Sequence, residues 1–188
     1  MAKGLSGIEF KECLAKGKIK KFGAAPKLAP KELKTSGEDL DAAFKSFANG
    51  NYKWATIQGY YSMFHSARAL IYSKGYRERS HYCLIVTLRA LFVSEGLLSV
   101  GFIEALQNAK VLRENADYEN EFSKESARAL LDKAKELLNR SWELLDILDE
   151  LNDGRTRDAV REGRSAVRYG SKGVPVFPRS RKIAAKRK

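Results

Sequence analysis

Cysteine and histidine are scarce in this 188-residue chain, and their spacing removes several classes of chemistry. Cys13 and Cys83 are far apart, so there is no framework of paired cysteines and no C-x-x-C spacing for a metal or a redox dithiol. Reduced thiols in an intracellular compartment are expected. His65 and His81 fall on different expected helices, with no H-x-x-x-H or Cys partner at ligand spacing. Neither a structural zinc nor a zinc-peptidase site is expected, and no metal or other cofactor is called for. The loops G-x-x-x-x-G-K-[ST], G-x-G-x-x-G and G-x-S-x-G are missing, which leaves nucleotide hydrolysis and serine-hydrolase chemistry without a motif. No run approaches the roughly 18 apolar residues of a membrane span, and Met1 to Phe10 hold no apolar stretch of signal-peptide length. A cytoplasmic protein with no membrane partner is the expectation. Strand-like alternation is nearly absent, which argues against a sheet.

What is present is charge, unevenly placed. Hydrophobic residues at 44% and charged residues at 31% are globular proportions, and the length suits one core with an appended segment. The net charge of +12 divides sharply: residues 1–34 carry +6, residues 152–188 carry +9, and residues 35–151 carry −3. The C-terminal stretch offers Arg155, Arg157, Arg161, Arg164, Arg168, Arg179, Arg181 and Lys182 as phosphate contacts. Beside them only Val174, Val176 and Phe177 are suited to insertion into lipid, so a membrane surface is a poor fit.

Apolar periodicity reads as helix throughout the middle. A short amphipathic helix over 5–22, interrupted by Gly17, and a proline-containing linker over 23–30 make up an N-terminal segment, 1–29. Helices follow over about 30–49, 52–74, 80–95 and 100–115. A loop at 117–122 precedes Ser123, a suitable N-cap for a long helix over 124–151. Asn49-Gly50-Asn51 suits a left-handed cap between the first two of these, which should form a hairpin. The fold class expected is all-α, an up-and-down bundle of four to five helices over 30–151. The basic tail, 152–188, offers one more helix over 158–169 and otherwise no core pattern.

Three constellations carry candidate chemistry. Tyr60, Tyr61, Phe64, His65 and Arg68 form an aromatic and polar band, readable as helix-interface packing or as ligand contact. Arg77, Arg79, Ser80 and His81 stand at a helix entrance, readable as an exposed cap or as a phosphate site. Arg113, Asn115, Asp117 and Tyr118 gather at a helix end, where a simple C-terminal turn is the plainer reading.

Several blocks agree in order and spacing with one family. They are Gly50-Asn51-Tyr52, Trp54-Ala55, Gly59 through Leu70 (GYYSMFHSARAL), Gly75 through His81 (GYRERSH) and Leu112 through Tyr118 (LRENADY). Over about 30–150 the chain resembles the HEPN family, named for higher eukaryotes and prokaryotes. The resemblance implies a helical bundle that dimerises and binds nucleotide or RNA. Many members are metal-independent endoribonucleases, often toxins paired with a minimal nucleotidyltransferase antitoxin. In those, an Arg followed after four to six residues by His would hold the scissile phosphate and act on the RNA 2′-hydroxyl. On this pattern Arg113 and Tyr118 are the catalytic candidates, with Arg68, His65, Arg77, Arg79, His81, Asn115 and Asp117 as binding candidates.

The chain departs from that pattern by placing Tyr118 where the His belongs. A phenol ionises near pH 10, about 3 units above neutrality, so using its phenolate as base costs about 4 kcal/mol. A hydrogen bond from Tyr118 to phosphate or ribose suits it better. Arg77 and His81 are too close together for the motif and are expected in a different part of the fold. The alternative function is a non-catalytic adaptor or structural protein anchored to nucleic acid by its basic tail.

Overall fold

A computed structural model describes residues 2–152, 168–169 and 175–176, with side chains over 7–146. The chain divides into two units, Met1–Gly154 and Arg155–Lys188. In the first, the described elements are α1 (Ala2–Ala15), β1 (Ile19–Lys21), α2 (Ala25–Ala48), α3 (Tyr52–Ser73), β2 (Tyr76–Glu78), α4 (His81–Leu88), α5 (Val100–Glu114) and α6 (Lys124–Asn152). The all-α bundle expected from periodicity is what the chain forms.

The α2–α3 hairpin turns where Asn49-Gly50-Asn51 placed it. Gly50 takes φ +75°, its N–H donates to the Phe47 carbonyl, and that of Asn51 donates to Ser46, so two of the last carbonyls of α2 are satisfied. Of the 22 residues of α3, 13 are buried, so it runs through the bundle between α2 and α6. Against α6 the approach is close: a Cβ on Gly59 would sit 2.5 Å from Leu130 Cδ2 and 2.8 Å from Leu131 Cδ2. Against α2, Ser36 Oγ lies within hydrogen-bonding distance of the Ser62 carbonyl (2.8 Å), Ser62 Oγ (3.1 Å) and Ser66 Oγ (2.8 Å), a buried polar knot in an otherwise apolar seam. Met63, Leu70, Leu88, Phe92, Ile103 and Leu131 fill the core around them.

The N-terminal segment differs from expectation in three ways. The helix ends at Ala15 rather than running to residue 22. Gly17 takes φ +62°, and its N–H and that of Lys18 close back on the Leu14 and Cys13 carbonyls. Ile19–Lys21 then pairs antiparallel with Tyr76–Glu78, Ile19 opposite Glu78. The stretch read as a linker belongs to α2 from Ala25 onward. Pro26 sits in the first turn, where helix N–H groups lack partners anyway, and Ala25, Ala29 and Leu33 supply a buried stripe at four-residue spacing. Finally, the cysteines are paired. The β1–β2 ribbon brings α1 against α4, and Cys13 and Cys83, with Cα atoms 5.9 Å apart, form a disulfide inside a small apolar cluster with Ile19 and Val86. Sequence spacing carried no sign of this, because the pairing is made through space across 70 residues.

Helix ends near the site follow their caps. Ser80 Oγ accepts from the Cys83 amide at 3.2 Å and starts α4, Ser99 starts α5, and Ser123 Oγ accepts from the Ser126 amide at 3.0 Å to start α6. The expected helix over 80–95 is α4 followed by a π-helical turn at Arg89–Val93. A second π-helical turn, Asn115–Glu119, extends α5 into what was expected to be loop.

In the second unit, Arg168–Tyr169 (β3) pairs antiparallel with Pro175–Val176 (β4). The helix expected to reach residue 169 therefore does not include its last two positions. Positions 158–167, and the tail contacts Arg155, Arg157, Arg161, Arg164, Arg179, Arg181 and Lys182, lie outside the described residues. Among the described residues no helix is long and apolar enough to cross a membrane.

Candidate phosphate-binding site

The aromatic and polar band of α3 splits into two environments. His65 Nδ1 lies 2.7 Å from Glu32 Oε2 on α2, and its Nε2 lies 3.7 Å from Asp39. Arg68 Nε donates to Glu78 Oε1 at 2.7 Å, its guanidinium packs 4.8 Å from the Phe64 ring, and Nη1 stands 3.8 Å from Glu32. The Glu78 side chain is only 4% exposed. It faces inward because β2 alternates, which also turns Arg77 and Arg79 outward. Burial works against the Arg68 charge, but the attraction of Glu78 and the hydrogen bond to it win and lift its pKa. His65 and Arg68 are thus engaged in an internal ion network, the structural alternative weighed for this band.

Tyr60 and Phe64 belong to the other environment. Tyr60 is buried, and its Oη lies 2.8 Å from His81 Nδ1, while the Phe64 ring packs 4.8 Å from the imidazole. Burial raises the Tyr60 pKa above the ordinary phenol value, with Tyr61 adding and Arg113 opposing, so the phenol is neutral across the physiological range. His81 is the first residue of α4 and is itself exposed. Partial burial pushes its pKa down. Lys110 and Arg113 push the same way, while Glu78 and Glu114 oppose them.

These couplings correct one expectation. The helix entrance at His81 and the helix end at Arg113 are not in separate parts of the fold: α4 and α5 bring His81 within electrostatic reach of Lys110, Arg113 and Glu114. At the α5 end, Arg113 Nη2 pairs with Asp117 at 2.8 Å, and the guanidinium stands 5.4 Å from the Tyr118 ring. Burial works against the Arg113 charge, but a hydrogen bond with Tyr118 and attraction from Tyr61 and Asp117 raise its pKa. Its Nε is buried with no acceptor, so the guanidinium has donor capacity that the fold does not use.

The π-helical turn explains why a five-residue spacing works here. In an α-helix, residues five apart are about 140° out of register. The turn bonds i to i+5 instead: the Asn120 amide donates to the Asn115 carbonyl, as does Glu121 at 3.1 Å. Widening the turn brings Tyr118 round to Arg113. Asn115 contributes its backbone carbonyl to this turn, and Tyr118 stands 71% exposed at its rim.

The arrangement combines two cations, a neutral phenol and an imidazole whose charged form is disfavoured, all beside exposed aromatic surface at Tyr61 and Tyr118. Such a set suits binding a phosphate diester and moving a proton near it. Among the described residues no group of three or more His, Cys, Asp or Glu is placed to hold a metal ion. Sequence reasoning missed Lys110 and the pairing of Tyr60 with His81. The four-residue spacing of Tyr60 and Phe64 on α3 showed that they share a face, but nothing in the chain order showed that His81 packs on it.

Residues 30–145 match the HEPN domain family. Among similar proteins, the "Putative toxin MJ0605" of Methanocaldococcus jannaschii is 29% identical over 109 residues, 57% of this chain and 81% of the relative. The "Putative toxin MJ0142" of the same organism is 29% identical over 128 residues, 65% of this chain and 87% of the relative. The "UPF0332 protein PH1297" of Pyrococcus horikoshii is 31% identical over 85 residues, 45% of this chain and 60% of the relative. With the bundle and the matched span in agreement, the chain belongs to the HEPN family.

Proposed function

We propose that this protein is a toxin-type HEPN protein that binds RNA at the cleft formed by α3, α4, α5 and the π-helical turn after α5. The observation that carries the reading is Arg113, held by Asp117 and Tyr118 with donor capacity to spare, beside His81 and Lys110. Arg113 takes the phosphate. Tyr118 offers its phenol to phosphate or ribose, and Tyr61 and Tyr118 offer rings on which bases stack. Arg77 and Arg79, on the outer face of β2, extend the basic surface. Two relatives carry the word toxin in their names, which supports this class of function. The family resemblance supports a homodimer and a minimal nucleotidyltransferase as antitoxin.

The test is binding of single-stranded RNA to the full chain. Arg113→Ala weakens binding at least tenfold if the cleft is the site, and unchanged affinity removes it from consideration. The adaptor reading is favoured by one observation, the charge of +9 confined to residues 152–188. If the tail rather than the cleft anchors RNA, deleting 152–188 abolishes binding while Arg113→Ala leaves it intact.

A further inference from the structure

We infer that His81, and not Tyr118, is the proton acceptor of this cleft, acting on the ribose 2′-hydroxyl beside a phosphate held by Arg113, with Tyr60 as its positioning residue. The inference rests on the proposed RNA reading and gives the site a reaction.

Several constraints converge on the His81 side chain. Its Nδ1 is engaged with Tyr60 Oη at 2.8 Å, and Phe64 packs against the ring. The backbone is held on both sides, by the Ser80 cap and by the disulfide at Cys83. Beside it, the Tyr82 hydroxyl donates to Glu9 on α1 at 3.2 Å. An exposed imidazole anchored at one nitrogen by a buried phenol presents the other nitrogen to a ligand. With Nδ1–H donating to the neutral Tyr60 oxygen, Nε2 keeps its lone pair. Nε2 is 3.5 Å from the same oxygen, too far to compete for it.

The groups facing His81 also suit proton acceptance. Tyr60 faces it from α3, Glu78 from β2, and Lys110, Arg113 and Glu114 from α5. Burial and the two cations keep the imidazole neutral at neutral pH, which is the form that accepts a proton. The same cations stabilise the added negative charge on a phosphate under attack. Tyr118 has a different situation. It is open to solvent, stands on the Arg113 guanidinium, and as a phenol offers little phenolate near neutrality.

The step balances without a metal or an oxidant. Nε2 of His81 takes the 2′-hydroxyl proton, and the oxygen lone pair forms a bond to the adjacent phosphorus. The bond from phosphorus to the 5′ oxygen breaks with its electron pair, and that oxygen takes a proton from water. The products are a 2′,3′-cyclic phosphate end and a 5′-hydroxyl end, and the imidazolium returns its proton to solvent.

The experiment uses the full chain with a labelled single-stranded RNA in chelator, and binding is measured in parallel on the same RNA with 2′-deoxy substitution. The wild type should release cyclic-phosphate ends, with kcat rising through a midpoint below the ordinary histidine value. His81→Ala and His81→Gln should lose at least a hundredfold in cleavage while binding changes less than threefold. Added imidazole should restore part of the His81→Ala loss. His81→Gln keeps an acceptor or donor for Tyr60, and thermal melts of both variants confirm folding. Tyr60→Phe should lower kcat with KM unchanged. Binding without cleavage by the wild type overturns the inference and leaves the RNA-binding reading standing, as does wild-type cleavage by both His81 variants. Absence of both binding and cleavage overturns both.

Discussion

Reduction of the Cys13–Cys83 bond is the most direct perturbation of this fold. The bond closes a loop spanning 70 residues, and removing it restores the closure entropy to the unfolded chain. The loop-entropy relation gives about 15 cal/mol/K, or about 4 kcal/mol at 25 °C. Domains of this size are stable by about 5–15 kcal/mol, so the loss is a large fraction of the total. The bond also ties α1 to the bundle. Without it, that segment is held by the three-residue β1–β2 ribbon, the Ile19 and Val86 cluster and the Tyr82–Glu9 hydrogen bond. Urea unfolding followed by circular dichroism, with and without a dithiol reductant, measures the effect. With a slope of about 2 kcal/mol/M, the midpoint falls by about 2 M on reduction. Reduction leaves both sulfurs in place, so it isolates the cross-link, whereas Cys13→Ala adds a cavity to the loss. Coincident curves for the two redox states, or two titratable thiols in the native protein, would refute the reasoning.

Gly59→Ala places a methyl group inside the contact with Leu130 and Leu131, both buried, and is expected to destabilise by about 1–3 kcal/mol in a thermal melt despite its better helix propensity. Glu78→Ala leaves Arg68 half-buried without its main partner; a loss of about 2–3 kcal/mol is expected, discounted from a fully buried pair because the arginine still reaches water. The folded-state pKa of His81 is lowered, so in the window below about 6.5 the unfolded chain binds more protons. Stability contributed by this group is full above that value and declines as pH falls through the folded pKa, and His81→Gln should remove that part of the acid dependence of the melting temperature. For RNA binding, if the tail engages about six to ten phosphates, the full chain loses about 10³–10⁵ in affinity between roughly 50 and 200 mM salt, and a chain ending at residue 152 shows a shallower slope. An unchanged slope removes the tail from the interface.

The helices were legible because their signals are local. Ser80 and Ser123 cap helices as their side chains require, Asn49-Gly50-Asn51 turns between α2 and α3, and leucines at helical spacing bury one face of α6. The prolines misled at the start of α2, since Pro26 falls where a helix has no use for an N–H and so does not break it. Gly17 was recognised as a weak point in a helix but is the end of one, and the strand after it is stabilised only by a partner some sixty positions on.

The candidate site divides in the same way. Arg113, Asp117 and Tyr118 could be grouped from the chain itself, because they lie within one turn and resemble a family motif. By contrast, the meeting of His81 with Tyr60 and Arg113, the diversion of His65 and Arg68 into ion pairs with Glu32 and Glu78, and the Cys13–Cys83 bond join segments distant in sequence. Sequence by itself determined the helices, the family and the separation of a basic tail from an acidic middle, because propensity, periodicity and charge are properties of neighbouring residues. Which side chains share an environment was decided by the packing of α3 against α2, α4 and α5, since burial, partner distance and the resulting pKa shifts exist only once those surfaces meet.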